Sequence, residues 1–335
     1  MFRYFVFCIL FHLPLISIAQ TNWQNVDSLY QPLPKSVHVF YSDKPIDTGT
    51  FRAFYVITDL KNKKLEFTTD TTYKRRLTPL QFYQKNQQPL IVVNGTFFSF
   101  ETNQNLNIVV KGGKTIAYNR FAYKGKGSDS VNRYYAFRGA IGIDKKGTAD
   151  VAWTYSGYDS CCFTKYVIAE QWPLYPSNLT QSRFTGIPLN YSRRFDSVLK
   201  NHPGLSKRGR SSLWKVQTAI GGGPVLIQQG KLAITNEEEN IFTGKAINDK
   251  HPRTAMGYTN DNKLIILVIE GRNERAGGAT LIQEAQILKN LGCVEALNMD
   301  GGGSSCLLIN GKETIKPSDK EGQRAVPAVF IIKKK

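Results

Sequence analysis

The chain predicts an α+β fold: hairpin-rich mixed sheets with few helices, including a strand–helix–strand unit near the C-terminus. Three observations predict it. Short apolar runs parted by Gly, Asn and Asp turn residues recur along most of the 335 residues. Only two segments combine a helix start signal with a following apolar stretch. The second of these lies between two strongly apolar runs, Lys263 to Ile269 and Val294 to Met299.

Taken in order, residues 1–19 read as an export signal: Arg3, an apolar stretch from Tyr4 to Ile18, and Ser17 and Ala19 where signal peptidase favours small residues. The mature chain is expected to begin at Gln20 and to act in a periplasm or outside the cell. No stable membrane span is expected after signal removal, because Pro14 interrupts a run already short for a bilayer. Residues 20–84 read as a β-rich leading segment and 85–335 as the main domain. Around 155–215, Pro, Ser and Arg dilute the periodicity, which predicts an insertion or a set of long loops. Thr78, Pro79 and Gln81 predict a helix start with a capping box and proline in the first turn. Thr280 and Gln283 repeat the device; Leu281, Ala285, Leu288 and Leu291 form the stripe, and Gly292 ends it.

Hairpins are predicted around Gly112-Gly113, around Gln228 to Lys231, around Asn260-Asp261-Asn262 and around Asn310-Gly311. The last is the strongest, since a type I′ turn needs two residues that tolerate positive φ.

Composition narrows the partners. Hydrophobic residues make up 41% of the chain, enough for a substantial core, and the net charge of +18 favours anionic ligands. The basic residues are scattered, and zinc-finger, RRM and basic-helix patterns are absent, so no nucleic-acid partner is expected. A mature chain would retain Cys161, Cys162, Cys293 and Cys306. Four cysteines allow three pairings, which the sequence leaves open; Cys293 with Cys306 is the favoured pair because both flank one strand and glycine loop, while Cys161 and Cys162 bond to each other or stay reduced. With His38, His202 and His251 as the remaining histidines, neither a metal site nor a cofactor is expected.

The densest chemical signal is Leu297 to Ser305, where an apolar run delivers Asn298 and Asp300 into Gly301, Gly302 and Gly303, followed by Ser304 and Ser305. Glycines admit close backbone approach and can turn N–H groups toward an anion. Lys263 to Ile269 likewise ends in Glu270-Gly271-Arg272. If the two runs are parallel neighbours joined by the Thr280 helix, their strands lie about 4.8 Å apart and Glu270 and Asp300 face one site, within the range of glycosidase carboxylate pairs. His251-Pro252-Arg253-Thr254 precedes a strand, and Arg253 carries a planar fork suited to phosphate. A second glycine turn, Gly221-Gly222-Gly223, follows Ile220, and Ile91 to Val93 runs into Asn94-Gly95-Thr96-Phe97-Phe98. Phe98 is expected in the core. Asn94, Asn178 and Asn190 head glycosylation sequons. Walker, Gly-x-Gly-x-x-Gly and Gly-x-Ser-x-Gly patterns are absent, which disfavours nucleotide chemistry and makes Ser304 and Ser305 hydrogen-bonding groups rather than nucleophiles.

In order, Asn94-Gly-Thr-Phe-Phe, Ala219-Ile-Gly-Gly-Gly-Pro, His251-Pro-Arg-Thr-Ala, Glu270-Gly-Arg, Ala279-Thr-Leu, Asn298-Met-Asp-Gly-Gly-Gly-Ser-Ser and Pro317-Ser-Asp resemble the phosphodiester glycosidase family. The resemblance runs from about residue 85 to 332 and is densest after about 215. It implies cleavage of a sugar-1-phosphodiester at the C1–O bond, releasing the sugar and a phosphomonoester. Asp300 and Glu270 are then expected to share the roles of base or nucleophile and of electrostatic stabiliser. Arg253, Arg272 and the glycine-loop N–H groups of Gly222, Gly223, Gly301, Gly302 and Gly303 are expected to hold the phosphate. Asn94, Gly95, His251, Thr254, Asn298, Ser304 and Ser305 complete the expected site. Two positions depart from the family pattern: Glu270 stands where aspartate is common, and Thr96 where glycine is usual. A non-catalytic module binding envelope or extracellular polysaccharide, and a metal-dependent phosphodiesterase, are the competing functions.

Overall fold

The computed structural model describes residues 22–47, 49–120, 123–124, 133–134, 137–159, 164–170 and 212–335. The expected export signal, Cys161, Cys162, His202 and the sequons at Asn178 and Asn190 lie outside the described residues.

The predicted class holds: sheets dominate, and the described residues contain three α-helices, Pro79–Lys85, Asn236–Glu239 and Leu281–Asn290. An eight-stranded sheet runs in the order Gln24–Asn25, Val37–Ser42, Ala53–Asp59, Lys263–Ile269, Arg253–Thr259, Cys293–Asn298, Val225–Gln228, Lys231–Leu232. A seven-stranded sheet is built around Ala149–Asp159, Arg138–Ile143 and Thr218–Gly221. A five-stranded sheet places Ile91–Asn94 between Leu307–Ile309 and Ala328–Lys334.

The expected parallel adjacency of Lys263–Ile269 and Cys293–Asn298 is corrected. Arg253–Thr259 lies between them and is antiparallel to both. The outer two therefore still run in the same sense and end at the same sheet edge, but about 9.6 Å apart, two strand spacings rather than one. The reason is the tight turn at Asn260 to Asn262, which folds Lys263–Ile269 back onto its sequence neighbour before the helix can deliver the next strand. Its continuous apolar run reported burial on both faces, and burial does not name the neighbour.

That double burial is plain in the packing. One face of the large sheet, with Met256, Ile266, Val268, Leu297 and Met299, meets residues of the other two sheets such as Ile141, Trp153, Ile220, Val93 and Phe330 in one core. The opposite face, with Ala255, Ile265, Leu267 and Ala296, is covered by Leu281, Ala285 and Leu288 of the last helix. Both capping boxes form: Thr78 Oγ1 accepts from Gln81 N at 3.2 Å, and Thr280 Oγ1 from Gln283 N at 3.2 Å. Asn310 (φ 49°) and Gly311 (φ 77°) take the left-handed conformations their hairpin needs.

Val37–Ser42 and Ala53–Asp59 extend the large sheet beside Lys263–Ile269, and Leu65–Thr71 pairs with the terminal strand Ala328–Lys334. The leading segment thus shares two sheets with the rest of the chain. Within 155–215, Ala149–Asp159 pairs with Thr164–Glu170, which pairs with Ser212–Leu213, so this stretch is not loop throughout. Among the described residues no helix is long and apolar enough to cross a membrane.

The expected Cys293–Cys306 disulfide is also corrected. Both are buried free thiols. Cys293 sits under the last helix, whereas Cys306 lies in a cluster on the five-stranded sheet, because the strand and glycine loop between them carry the chain to the far edge of the large sheet.

Candidate functional site

Three separate glycine motifs converge on the backbone of His251-Pro252, where the chain enters the Arg253 strand. A Cβ on Gly278 (φ +99°) would stand 2.5 Å from both the carbonyl carbon and oxygen of His251. One on Gly271 would meet Pro252 N at 2.9 Å, and one on Gly301 would meet Pro252 O at 2.8 Å. Gly302 N donates to Pro252 O at 2.9 Å, and His251 and Ala279 exchange backbone bonds of 3.1 and 3.0 Å. These glycines are present because backbones touch. Gly278→Ala is expected to cost on the order of 3 kcal/mol, since it adds left-handed strain to a backbone collision. Thermal unfolding checks it, and an unchanged melting temperature refutes the packing account.

The same closeness corrects part of the expected anion cradle, the N–H groups of Gly222, Gly223 and Gly302. Gly222 N donates to Gly139 O (2.9 Å), Gly223 N to Asn298 O (2.7 Å), Ser304 N to Gly301 O and Ser305 N to Gly302 O (3.2 Å each). Those N–H groups, with that of Gly302, are already used within the protein. A Cβ on Gly222 would lie 2.4 Å from Asn298 O, so this turn too is a backbone contact.

Asn94 is fully buried and ties the five-stranded sheet to the large one. Its Nδ2 donates to Asp300 O (2.6 Å), while its Oδ1 accepts from Thr254 Oγ1 (2.9 Å) and Cys306 N (3.0 Å). Thr254 Oγ1 lies 3.2 Å from Ser305 Oγ, and Gly95 O accepts from Asp300 N at 3.0 Å. Asn298 Nδ2 donates to Gly223 O and Met299 O, which ties the two glycine turns together. Asn94, Gly95, Thr254, Asn298 and Ser305 therefore hold Asp300 in place from below. Asn94 is too deeply buried in the folded chain to accept a glycan.

Asp300 lies two residues beyond its strand and is partly exposed, in a turn covered by two guanidinium groups. Arg272 covers Gly302, its Nη1 and Nη2 each 3.2 Å from where a Cβ would stand; Arg324 does the same over Gly303. Burial pushes the Asp300 carboxyl up to about 7, although Ser304, the Arg324 cation and the Gly301 N–H all favour ionisation. Ser304 Oγ is buried beside it and meets no partner in hydrogen-bond geometry. Arg272 is exposed, takes φ +64°, a strained conformation for a non-glycine residue, and sets Nη2 3.3 Å from His251 Nδ1. Burial, together with the Arg253 and Arg272 cations, holds His251 below the usual imidazole range, which leaves it neutral and able to accept from Arg272.

Glu270 and Arg253 are placed differently from expectation. Glu270 is 2% exposed; its Oε1 accepts from Asn273 Nδ2 (3.1 Å), and its Oε2 accepts from Lys316 N (3.0 Å) and lies 3.5 Å from Arg52 Nε. Arg253 is also buried: Nε donates to Ala279 O (3.0 Å), Nη2 to Asp249 O (3.3 Å), and Phe242 lies 5.7 Å from the guanidinium carbon. It points to the helix side of the sheet because it shares a face with Ala255, whereas Thr254 points to the Asn94 side.

Three further polar residues near these elements were not singled out from sequence. Arg324 binds Asp319 through two hydrogen bonds, 2.7 and 2.9 Å, which gives the Pro317-Ser-Asp motif its purpose: Asp319 holds Arg324 beside Asp300. Glu239 accepts four hydrogen bonds next to Gly223. Glu284, on the last helix near Arg253, is 0% exposed with neither oxygen partnered. The i, i+4 spacing Thr235-Glu239 was a cue for the second; Glu284 reads as an ordinary polar helix position.

Burial pushes the Glu284 carboxyl up to about 8, partly offset by Arg253. The folded chain keeps that proton while the unfolded chain releases it, so stability falls as pH rises from about 4.5 to about 8. Glu284→Leu is expected to add on the order of 1–3 kcal/mol and to flatten that pH dependence. Melting temperatures recorded across this range decide it; a variant less stable than the parent throughout contradicts it.

Among the described residues no three His, Cys, Asp or Glu side chains gather as metal ligands would.

The model of the phosphodiester glycosidase family matches residues 186–333. The SPbeta prophage-derived uncharacterized protein YomE of Bacillus subtilis (strain 168) is 38% identical over 91 residues, 27% of this chain and 14% of that protein. Mouse N-acetylglucosamine-1-phosphodiester alpha-N-acetylglucosaminidase is 32% identical over 101 residues, 30% of this chain and 19% of that protein. These alignments span under a fifth of the curated relatives' length. The zebrafish form of that enzyme, a catalytic domain auto-inhibited by its pro-peptide, shares the fold at TM-score 0.58 and 19% identity, covering 94% of this chain and 89% of that one. A hypothetical protein from Synechocystis does so at TM-score 0.57 and 16% identity, over 94% of this chain and 64% of that one. The ordered motifs, the family model over residues 186–333 and the curated relatives agree that this part of the chain is similar to the phosphodiester glycosidase family.

Proposed function

We propose that this chain acts after export as a hydrolase that cleaves a sugar-1-phosphodiester at the glycosidic C1–O bond, releasing the sugar and a phosphomonoester. The observation that carries this reading is the partly exposed Asp300, with the Arg324 cation beside it and the Arg272 guanidinium over the adjoining Gly302. The phosphodiester anion sits against those two cations. Bidentate guanidinium contacts orient it and neutralise the charge that grows on the leaving phosphate. A phosphate monoester leaves readily, so the demand for a strong general acid is small.

In this reading Asp300 acts ionised, as base toward water or as nucleophile toward C1. Glu270 supports the wall through Arg52, Asn273 and Lys316 N, and Arg253 holds the Asp249 and Ala279 loops in place. The family match and the curated relatives favour this class of hydrolase.

The test is turnover of a synthetic N-acetylglucosamine-1-phosphodiester in ¹⁸O water. The expected result is label in the released sugar and undiminished rate with chelator. Label in phosphate, or loss of rate on chelation, points instead to a metal phosphodiesterase. Saturable glycan binding without turnover points to a binding module.

A further inference from the structure

We propose that the ridge leading away from Asp300 through Arg324, Phe100 and Arg76 is a second anion subsite, and that the substrate is a polymer of sugars joined by repeated phosphodiesters. This rests on the reading of Asp300 as the reacting carboxylate. Phe100 is 63% exposed at the tip of a tight turn, pinned by Asn103 N to Ser99 O (2.8 Å), Ser99 N to Gln104 O (3.0 Å) and Thr102 N to Ser99 Oγ (3.2 Å). An exposed aromatic on so ordered a turn costs little entropy to use as a contact surface.

The Arg324 guanidinium carbon lies 5.5 Å from the Phe100 ring centre and that of Arg76 5.1 Å, which places the two cations within about 11 Å of each other. Arg324 is held by Asp319, whereas Arg76 makes no ion pair among the described residues and rests on Phe98 (5.2 Å) and Phe100 alone. Two residues before it in the chain, Lys74 Nζ lies 5.3 Å from the ring centre of its neighbour Tyr73, which is 79% exposed.

Cations alternating with aromatic rings suit a ligand that alternates phosphate with an apolar sugar face. A substrate with one phosphate is satisfied by Arg272 and Arg324 and leaves Arg76 idle. A repeating sugar phosphate places its next anion along this ridge, so hydrolysis proceeds from a chain end seated at Asp300.

The experiment compares a methyl-capped single sugar-1-phosphodiester with an oligomer of four such units. For the parent protein the oligomer is expected to show a KM about tenfold lower. The double variant Arg76→Gln/Phe100→Ala is expected to remove that advantage and to leave kcat/KM for the single diester within about twofold. Phe100→Tyr, which keeps the ring, should retain the advantage. An equal loss on both substrates, or no change on either, overturns the proposal.

A binding arm separates this failure from failure of the proposed reaction: Asp300→Asn protein is titrated with the oligomer, with and without the ridge substitutions. If the parent cleaves neither substrate the reaction is wrong, yet a tenfold weakening in the binding arm still upholds the ridge, and an unchanged affinity removes it. Displacement of the oligomer by an oligothymidylate of equal charge and equal affinity overturns the assignment to sugar phosphates.

Discussion

Asp300→Asn is expected to lower kcat on a sugar-1-phosphodiester by about 10³-fold or more, while the protein stays folded. Asn has the shape of Asp but can neither take a proton from water nor attack C1. The structural cost is small, because the backbone bonds that place residue 300, from its N–H to Gly95 O and from Asn94 Nδ2 to its carbonyl, do not involve the side chain. The sign of the stability change follows from linkage. A carboxyl raised from the ordinary 3.8 to about 7 weakens the folded state as pH climbs through that range, so the amide variant is expected to be at least as stable as the parent near neutrality and above. For the parent, kcat/KM should rise with pH through about 7 as Asp300 ionises. A folded Asp300→Asn protein with more than a tenth of the parent kcat ends the assignment; a rate that falls through pH 7 makes Asp300 an acid instead.

Glu239→Ala is expected to produce the largest loss of stability in the chain. The carboxylate is fully buried and accepts from Val225 N (2.7 Å), Gly139 N (2.7 Å), Thr235 Oγ1 (2.7 Å) and Trp153 Nε1 (3.2 Å). Arg138 Nη1 donates to its backbone carbonyl. These donors come from the large sheet, the seven-stranded sheet and the short helix between them, so one side chain closes a junction of three elements. Burial raises its carboxyl, and the hydrogen bonds and Arg138 oppose that rise. Removing the acceptor leaves several buried donors bare at roughly 1–3 kcal/mol each, a large share of the roughly 5–15 kcal/mol that holds a domain together. A fall in melting temperature of roughly 10 °C or more, or loss of a cooperative transition, is expected. Glu239→Gln should lie between, since it turns one oxygen into a donor facing another donor. A melting temperature within a degree or two of the parent would show that the junction does not depend on this carboxylate.

Glu239 also marks where reading from sequence stops. Nothing in Asn236-Glu237-Glu238-Glu239 tells which of three adjacent acids turns inward. That is settled by Val225, Gly139 and Trp153, between 14 and 100 residues away. The position of Asp300 just past a strand was legible because its signal is local: an apolar strand, then an acid, then glycines. Glu270 has the same local signature and a more buried setting, since Arg52 and Lys316 reach it from parts of the chain that local pattern does not see. The glycine motifs were legible as sites of close approach, but whether the visitor is a ligand or the chain itself depended on where His251-Pro252 comes to lie.

What the sequence determined by itself was short-range. Two capping boxes, the Asn310-Gly311 turn, the burial of Lys263–Ile269 on both faces and the strand-end position of Asp300 all follow from steric and hydrogen-bonding preferences within a few residues. The tertiary structure alone decided strand order, the separation of Cys293 from Cys306, the withdrawal of Arg253 and Glu270 into the protein and the arrival of Arg324 beside Asp300. Each of these depends on which distant segments share a face, and that is governed by the packing of three sheets around a common core.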